Sequence, residues 1–217
     1  MPDSGFLRGL GDNARRKRNR RFVELLSRLP QRSISILDVG GTVEFWKTVT
    51  IPKTGIDRIV LLNTFEQSIP GDERMTAITG DARDLSRFPD QSFDLVFSNS
   101  VIGHVGSLED QRRMAAEVQR VGIRHFLQTP NQGFPIDWRT MVPFFHFLPV
   151  ALQAKCFARF PVGTYQRARD AEHAMQMASR IRNLSRSEVR MLFPGSRIEN
   201  ETVLGFTKSF LIHNIPE

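Results

Sequence analysis

The amino-acid sequence predicts an α/β fold: a doubly wound, mostly parallel sheet with helices on both faces. Three observations carry that prediction. Short, nearly continuous apolar runs recur between Ile34 and Thr129, and continuous rather than alternating apolarity suits strands covered on both faces. The runs alternate with crossover segments, as right-handed βαβ units require. They also end in Asp, Gly, Asn and Ser, the small polar residues that a ligand crevice at the carboxyl ends of strands needs.

The elements follow in chain order. Residues 1–32 hold nine Arg/Lys against Asp3, Asp12 and Glu24, so most of the formal charge of +7 sits there and the remaining chain is nearly neutral. Phe22, Leu25, Leu26 and Leu29 fall at helical spacing, predicting an amphipathic helix from about Asn13 to Leu29 within a basic segment, residues 1–30, packed on the domain. Its polar face reads in three ways: as solvated surface, as a contact for acidic lipid headgroups, or as a grip on RNA phosphates.

Strands are expected at ISILDV (Ile34–Val39), RIVLLN (Arg58–Asn63), MTAIT (Met75–Thr79), SFDLVFSN (Ser92–Asn99) and GIRHFLQT (Gly122–Thr129). The stretch between Asn63 and Met75 is too short for a full crossover helix. SLEDQRRMAAEVQRV (Ser107–Val121) has helical apolar spacing, and Ser107 with Asp110 suits a capped start. From Asn131 to about Arg182 the alternation stops. A Pro/Gly-punctuated loop leads into the aromatic stretch Met141–Phe160, broken by Pro143 and Pro149, and Ala168–Leu184 reads as helix. This 131–184 segment is a helical cap inserted after strand five of a domain spanning 31–217. The chain closes with a helix capped by Ser185 and Glu188, then SRIENETVL and FTKSFLIHN, which can pair as a hairpin around Gly205.

Composition removes several classes of function. The single cysteine, Cys156, excludes an intramolecular disulfide and a thiolate metal cluster; in LQAKCFARF it reads as a buried structural thiol, and no metal site is expected. No apolar run is long enough to span a bilayer, and the N-terminus lacks the apolar core of a secretory signal. A cytoplasmic protein is expected, with peripheral membrane contact through the basic helix left open.

The strand ends converge on one crevice. Strand one ends in Asp38, Gly40 and Gly41, strand two in Asn63, the third is followed by Asp81 and Ala82, and the fourth ends in Asn99 and Ser100. ILDVGGT and GDARDLSRFPDQSFDLVFSNSVIGHV, in this order and spacing, resemble the class I S-adenosylmethionine-dependent methyltransferases. The resemblance runs from about Ile34 to Thr129. It implies a seven-stranded Rossmann-like sheet with an antiparallel last strand, and S-adenosylmethionine as cofactor. Asp38, Gly40 and Gly41 would then hold the amino-acid end of the cofactor and Asn63 the ribose hydroxyls. Asp81 would take the adenine amino group with Ala82 beside the ring, and Asn99 and Ser100 would line the crevice. This chain departs from the family pattern at Thr42, where a second motif glycine is usual, at Asn63, where an acid is usual, and at Gly103, where many relatives place Glu before the His. A dinucleotide is the rival cofactor, but that fingerprint needs a third glycine where this chain reads Gly40-Gly41-Thr42-Val43.

Methyl transfer requires an aligned nucleophile, exclusion of water and, for some acceptors, a base. His104 past the fourth strand, and Asp137 and His146 in the segment after strand five, are the candidate bases; a packing or solvated role is the alternative for each. His125, inside a strand, reads as core. There is no Asn/Asp-Pro-Pro-aromatic tetrad after strand four, so O-methylation of a small-molecule, lipid or sugar hydroxyl is the favoured reaction. An RNA methyltransferase using the basic helix and a non-catalytic cofactor-binding protein remain as alternatives. The expected partner is a small-molecule or lipid-linked substrate; nucleic acid is the less favoured one.

Overall fold

A computed structural model describes residues 4–29, 33–49, 55–69, 71–137, 139–179 and 182–216. Arg32 of the basic segment and residues 180–181 of the expected 168–184 helix lie outside them. Seven strands form one sheet: β1 (Ile34–Val39), β2 (Ile56–Asn63), β3 (Met75–Thr79), β4 (Phe93–Asn99), β5 (Gly122–Pro130), β6 (Arg197–Val203) and β7 (Phe206–His213). Their order is β3-β2-β1-β4-β5-β7-β6. β1 to β5 pair in parallel, and β7 runs antiparallel to both β5 and β6. The fold is therefore the expected doubly wound α/β sheet with one reversed strand, the last. Its order turns back at β1 and β4, and a crevice opens beyond the carboxyl ends of those strands.

Among the described residues six α-helices accompany the sheet: α1 (Ser4–Leu26), α2 (Val43–Thr48), α3 (Leu108–Val121), α4 (Val150–Arg159), α5 (Ala171–Ser179) and α6 (Arg186–Leu192). None of the described residues between β2 and β3 is helical. Two capping boxes, Ser107 with Asp110 and Ser185 with Glu188, start α3 and α6 as the sequence indicates. Val203 pairs with Phe206 across Leu204 and Gly205, both at positive φ (51° and 82°), the signature of a type I′ hairpin turn.

Two helix boundaries differ from expectation. α1 begins at Ser4 instead of Asn13, since its glycine-containing first turns are carried by propagation from the stronger helix that follows. The 168–184 helix shortens to α5: Asp170 Oδ1 accepts the His173 N–H at 2.7 Å and starts it there, while the Ala168 N–H is spent on the Phe157 carbonyl.

The sheet has an apolar layer on each face. One holds α3 and α6, with Met114, Val118, Val189 and Phe193 against Val96 and Leu127. The other holds α1, whose Phe22, Leu25 and Leu26, with Leu29 just beyond its end, pack with Ile36, Trp46, Ile59, Phe97 and Phe126. Each of those four side chains contributes about 1.5–3 kcal/mol by burial. Two arginines of α1 turn inward: Arg21 grips Glu199 of β6 through Nε at 3.1 Å, and Arg18 lies 3.6 Å from Glu201. Arg15, Arg16, Lys17 and Arg20 remain exposed. The segment between β5 and α6 has its own small core of Phe145, Ala154, Phe157, Val162 and Ala174; Cys156 packs at its edge half-buried, less enclosed than expected. No described helix is long and apolar enough to cross a membrane.

Candidate functional site

The glycine turn after β1 is built by its neighbours. The Gly40 N–H donates to the Leu62 carbonyl at 2.7 Å, tying the end of β1 to β2. Gly40 has φ +78°, and a Cβ there would stand 2.3 Å from Val101 Cγ2, so the turn and the loop after β4 approach too closely for a side chain. At Gly41 a Cβ would fall 2.1 Å from Asp38 Oδ2 and 2.8 Å from Asp38 Cβ. The glycine expected two positions after Gly40 is thus served by Gly41, and Thr42 stands outside the tight part of the turn as the residue preceding α2.

Asp38 is 1% exposed, and its carboxylate points under the turn, where the Trp46 indole N–H donates to Oδ2 at 2.7 Å. Burial pushes this carboxyl up to about 7, against the lowering effect of the indole bond. Asn63 closes the next edge: its Nδ2 donates to the Gly41 carbonyl at 3.2 Å, its Oδ1 accepts the Thr64 N–H at 2.9 Å, and Gln67 Nε2 donates to the same carbonyl at 2.9 Å. An amide holds this position because the turn presents an acceptor to it, and a carboxylate would face that carbonyl unfavourably. Asp81 meets Arg83, whose Nε lies 3.0 Å from both its oxygens; this guanidinium holds the carboxyl below its usual range, and Arg83 also reaches Asp110 at 3.1 Å. Ala82 is buried behind it.

At the end of β4, Asn99 Oδ1 is a buried acceptor with no hydrogen-bond partner, a vacancy suited to an N–H donor of a ligand. Ser100 adopts φ +61° and its hydroxyl donates to Gln128 of β5. A serine held in the left-handed region at a strand end marks stored strain of the kind found at sites. Gly103 packs with its Cβ position 3.3 Å from the Arg182 carbonyl, and its own carbonyl accepts the Arg182 N–H at 2.9 Å. The close backbone contact gives the glycine there a steric reason.

Beside this lip lies a cavity of about 450 Å³. It brings together Ser100, His104, Asp137 and His146 with residues not singled out as site residues in the sequence: Arg15 and Arg18 of α1, Gln128, Arg139, Asn183 and Lys208. Asp38, Gly40, Gly41, Asn63, Asp81, Ala82 and Asn99 lie at the strand-end lip and not in the cavity wall. Asp137 is engaged by Arg139 through Nε at 2.8 Å; burial raises its carboxyl, but the guanidinium outweighs burial and holds it below the usual range. Arg139 Nη1 stands 3.4 Å from His104 Nε2. His146 Nε2 lies 3.1 Å from the Gln132 carbonyl, which requires the proton on Nε2, and its buried Nδ1 has no partner. His125 is core as expected: Nε2 meets Ser196 Oγ at 2.8 Å, and burial, with His213 and Arg124 adding, lowers it to about 4. Among the described residues no group of three or more His, Cys, Asp and Glu could hold a metal ion.

A family model described as a methyltransferase domain matches residues 39–124, the stretch from the end of β1 to the start of β5 that builds this lip. Over that stretch the sequence is similar to a methyltransferase domain. S-adenosylmethionine is the cofactor that this match implies, and the orphaned Asn99 acceptor and the glycine turn fit such a group. Its fold is shared with an S-adenosylmethionine-dependent methyltransferase from Mesorhizobium loti, at 17% identity and TM-score 0.54 over 88% of this chain and 94% of that one. Magnesium protoporphyrin IX methyltransferase from Synechocystis, solved with bound S-adenosylhomocysteine, shares it at 11% identity and TM-score 0.56, over 98% and 88%. A Rhodobacter sphaeroides protein described as a zinc-dependent alcohol dehydrogenase shares it too, at 12% identity and TM-score 0.52, over 89% and 87%. The fold alone therefore does not choose the chemistry; the sequence match does. No curated protein matches the chain.

Proposed function

We propose that this methyltransferase O-methylates a small acceptor held in the cavity beneath the 131–184 segment, with His146 as general base. When bound, the cofactor supplies a methyl group on an electrophilic sulfonium. The chain's own residues then have three tasks: to hold the acceptor hydroxyl, to exclude water and to take one proton. The observation that carries the reading is the state of His146. Its Nε2 is committed to a backbone carbonyl, which fixes the tautomer and leaves Nδ1 as an unpartnered acceptor in the cavity wall. His104, the other histidine of the cavity, has a guanidinium against its Nε2, and Asp137 is occupied by Arg139; both therefore suit positioning better than proton removal. The test is a labelled-methyl assay on hydroxyl acceptors. His146→Ala should lower kcat and leave S-adenosylhomocysteine affinity unchanged. Unaltered kcat would exclude the base role.

A second reading, a lipid-linked acceptor taken at a membrane surface, draws on one further observation. Phe144 and Phe160 are 62% and 63% exposed, with Phe147, Val150 and Leu152 also exposed and Lys155 and Arg159 among them, a composition suited to a lipid interface. Co-sedimentation with anionic vesicles, lost in a Phe144→Ser/Phe160→Ser variant, would support it; no sedimentation would exclude it. The inward turn of Arg18 and Arg21 toward Glu201 and Glu199 weighs against a phosphate grip on RNA.

A further inference from the structure

Two arginines one turn apart on α1 have opposite surroundings. Arg21 is satisfied: its Nε bonds both oxygens of Glu199 at 3.1 Å and its Nη1 meets Glu24 at 2.9 Å, so it fastens α1 to β6. Arg18 is only 9% exposed, yet its Nε has no hydrogen-bond partner and its ion pair with Glu201 Oε2 is long at 3.6 Å. A buried guanidinium with unused donors is costly unless something else satisfies it.

Glu201, the nearest carboxylate, makes no hydrogen bond to the Arg18 guanidinium. Its Oε2 already accepts the Ser209 hydroxyl and lies 3.9 Å from Lys208 Nζ, while Oε1 has no partner. Arg18 and Lys208 both stand beside this carboxylate. Burial pulls Lys208 below its ordinary range in spite of Glu201, and the nearby charges of Arg18 and Arg15 push the same way. Arg15 adds a third cation whose partner, Asp12, is 3.9 Å away and mostly exposed. All three cations line the cavity, which also has the apolar wall of Phe134 and Ile136.

We propose that Arg15, Arg18 and Lys208 form an oxyanion subsite, so that the methyl acceptor is a small amphipathic molecule carrying a carboxylate or phosphate group. The inference rests on the methyltransferase reading of this cavity. The apolar body would lie on Phe134 and Ile136 and the anion on α1 and β7. Arginine donors suit either oxyanion, because the guanidinium fork matches both. Residues 12–18 of the basic helix would then be part of the acceptor site.

The test is calorimetric titration of the full chain saturated with S-adenosylhomocysteine, using benzoate and phenyl phosphate as anionic probes and benzyl alcohol as the neutral one. At least one anion should bind about tenfold or more tightly than the alcohol. Arg18→Gln and Lys208→Met should each remove about tenfold of that affinity. Arg15→Gln, on an exposed side chain and safe for folding, should remove about threefold. S-adenosylhomocysteine affinity should not change in any of them. Equal binding of the three probes, or anion affinity untouched in Arg15→Gln and in whichever of the other two variants folds, would overturn the subsite. Failure of the wild-type chain to take up S-adenosylhomocysteine would overturn the underlying reading instead, and the titration reports it separately.

Discussion

The strand-end lip and the cavity beside it are assembled in different ways. Around the glycine turn, Asp38, Gly40, Gly41, Trp46, Asn63 and Gln67 contact one another within a single βαβ stretch of the chain. The cavity takes Arg15 and Arg18 from α1, Ser100 and His104 after β4, Gln128 from β5, His146 from the segment beyond it, and Lys208 from β7. The first region is fixed by backbone turns that tolerate one residue type. The second is fixed by which surfaces the sheet and its helices bring face to face. The proposed cofactor seat is therefore local in the chain, whereas the proposed acceptor site is dispersed along it.

Four experiments would break or sharpen that contrast. Gly41→Val has the largest expected effect. The added atoms would meet Asp38, and affinity for S-adenosylhomocysteine should fall by about 1000-fold, about 4 kcal/mol; retention of wild-type affinity would show that the turn is not the cofactor's seat.

Acid tests whether both regions depend on one sheet. His125 titrates at about 4 in the fold against an ordinary 6.5. Between these values the unfolded chain holds a proton that the folded chain does not, so stability drops as pH falls from 6.5 toward 4, by about 3 kcal/mol at the limit. Denaturant unfolding at pH 4.5 and 7 should show this loss in the wild type and a smaller one in His125→Asn.

His146→Ala should reduce kcat about 100-fold with cofactor affinity unchanged; a parallel loss of both would merge the two regions functionally. Trp46→Phe removes the indole donor from Asp38 and should cost about 1–3 kcal/mol of stability, because a buried carboxylate loses its partner. The effect should appear in thermal unfolding, with the cavity's acceptor selectivity unaltered.

Much of the lip was legible before any coordinates. ISILDV followed by Gly-Gly reads as a covered strand and a tight turn because both signals are local: continuous apolarity and the lack of a side chain. The direction of Asp38 was not legible. Its carboxylate belongs to the packing beneath the turn because Trp46 in the next helix offers an N–H there. The pairing within the basic segment was not legible either. The hairpin β6–β7 carries Glu199 and Glu201 to that helix, and strands about 180 residues away in sequence decide which arginines are spent.

The sequence by itself determined the order of the strands, the capped starts of α3 and α6 and the hairpin turn at Gly205. Each of these follows from spacing, capping or the conformational freedom of single residues over a short span. Only the tertiary structure decided that α1 walls the cavity, that Arg18 Nε is left without a hydrogen bond while Arg21 is bonded to Glu199, and that His146 Nδ1 is buried without a partner. Those facts depend on contacts between segments far apart in the chain, where burial withdraws water as an alternative partner and makes each missing hydrogen bond count.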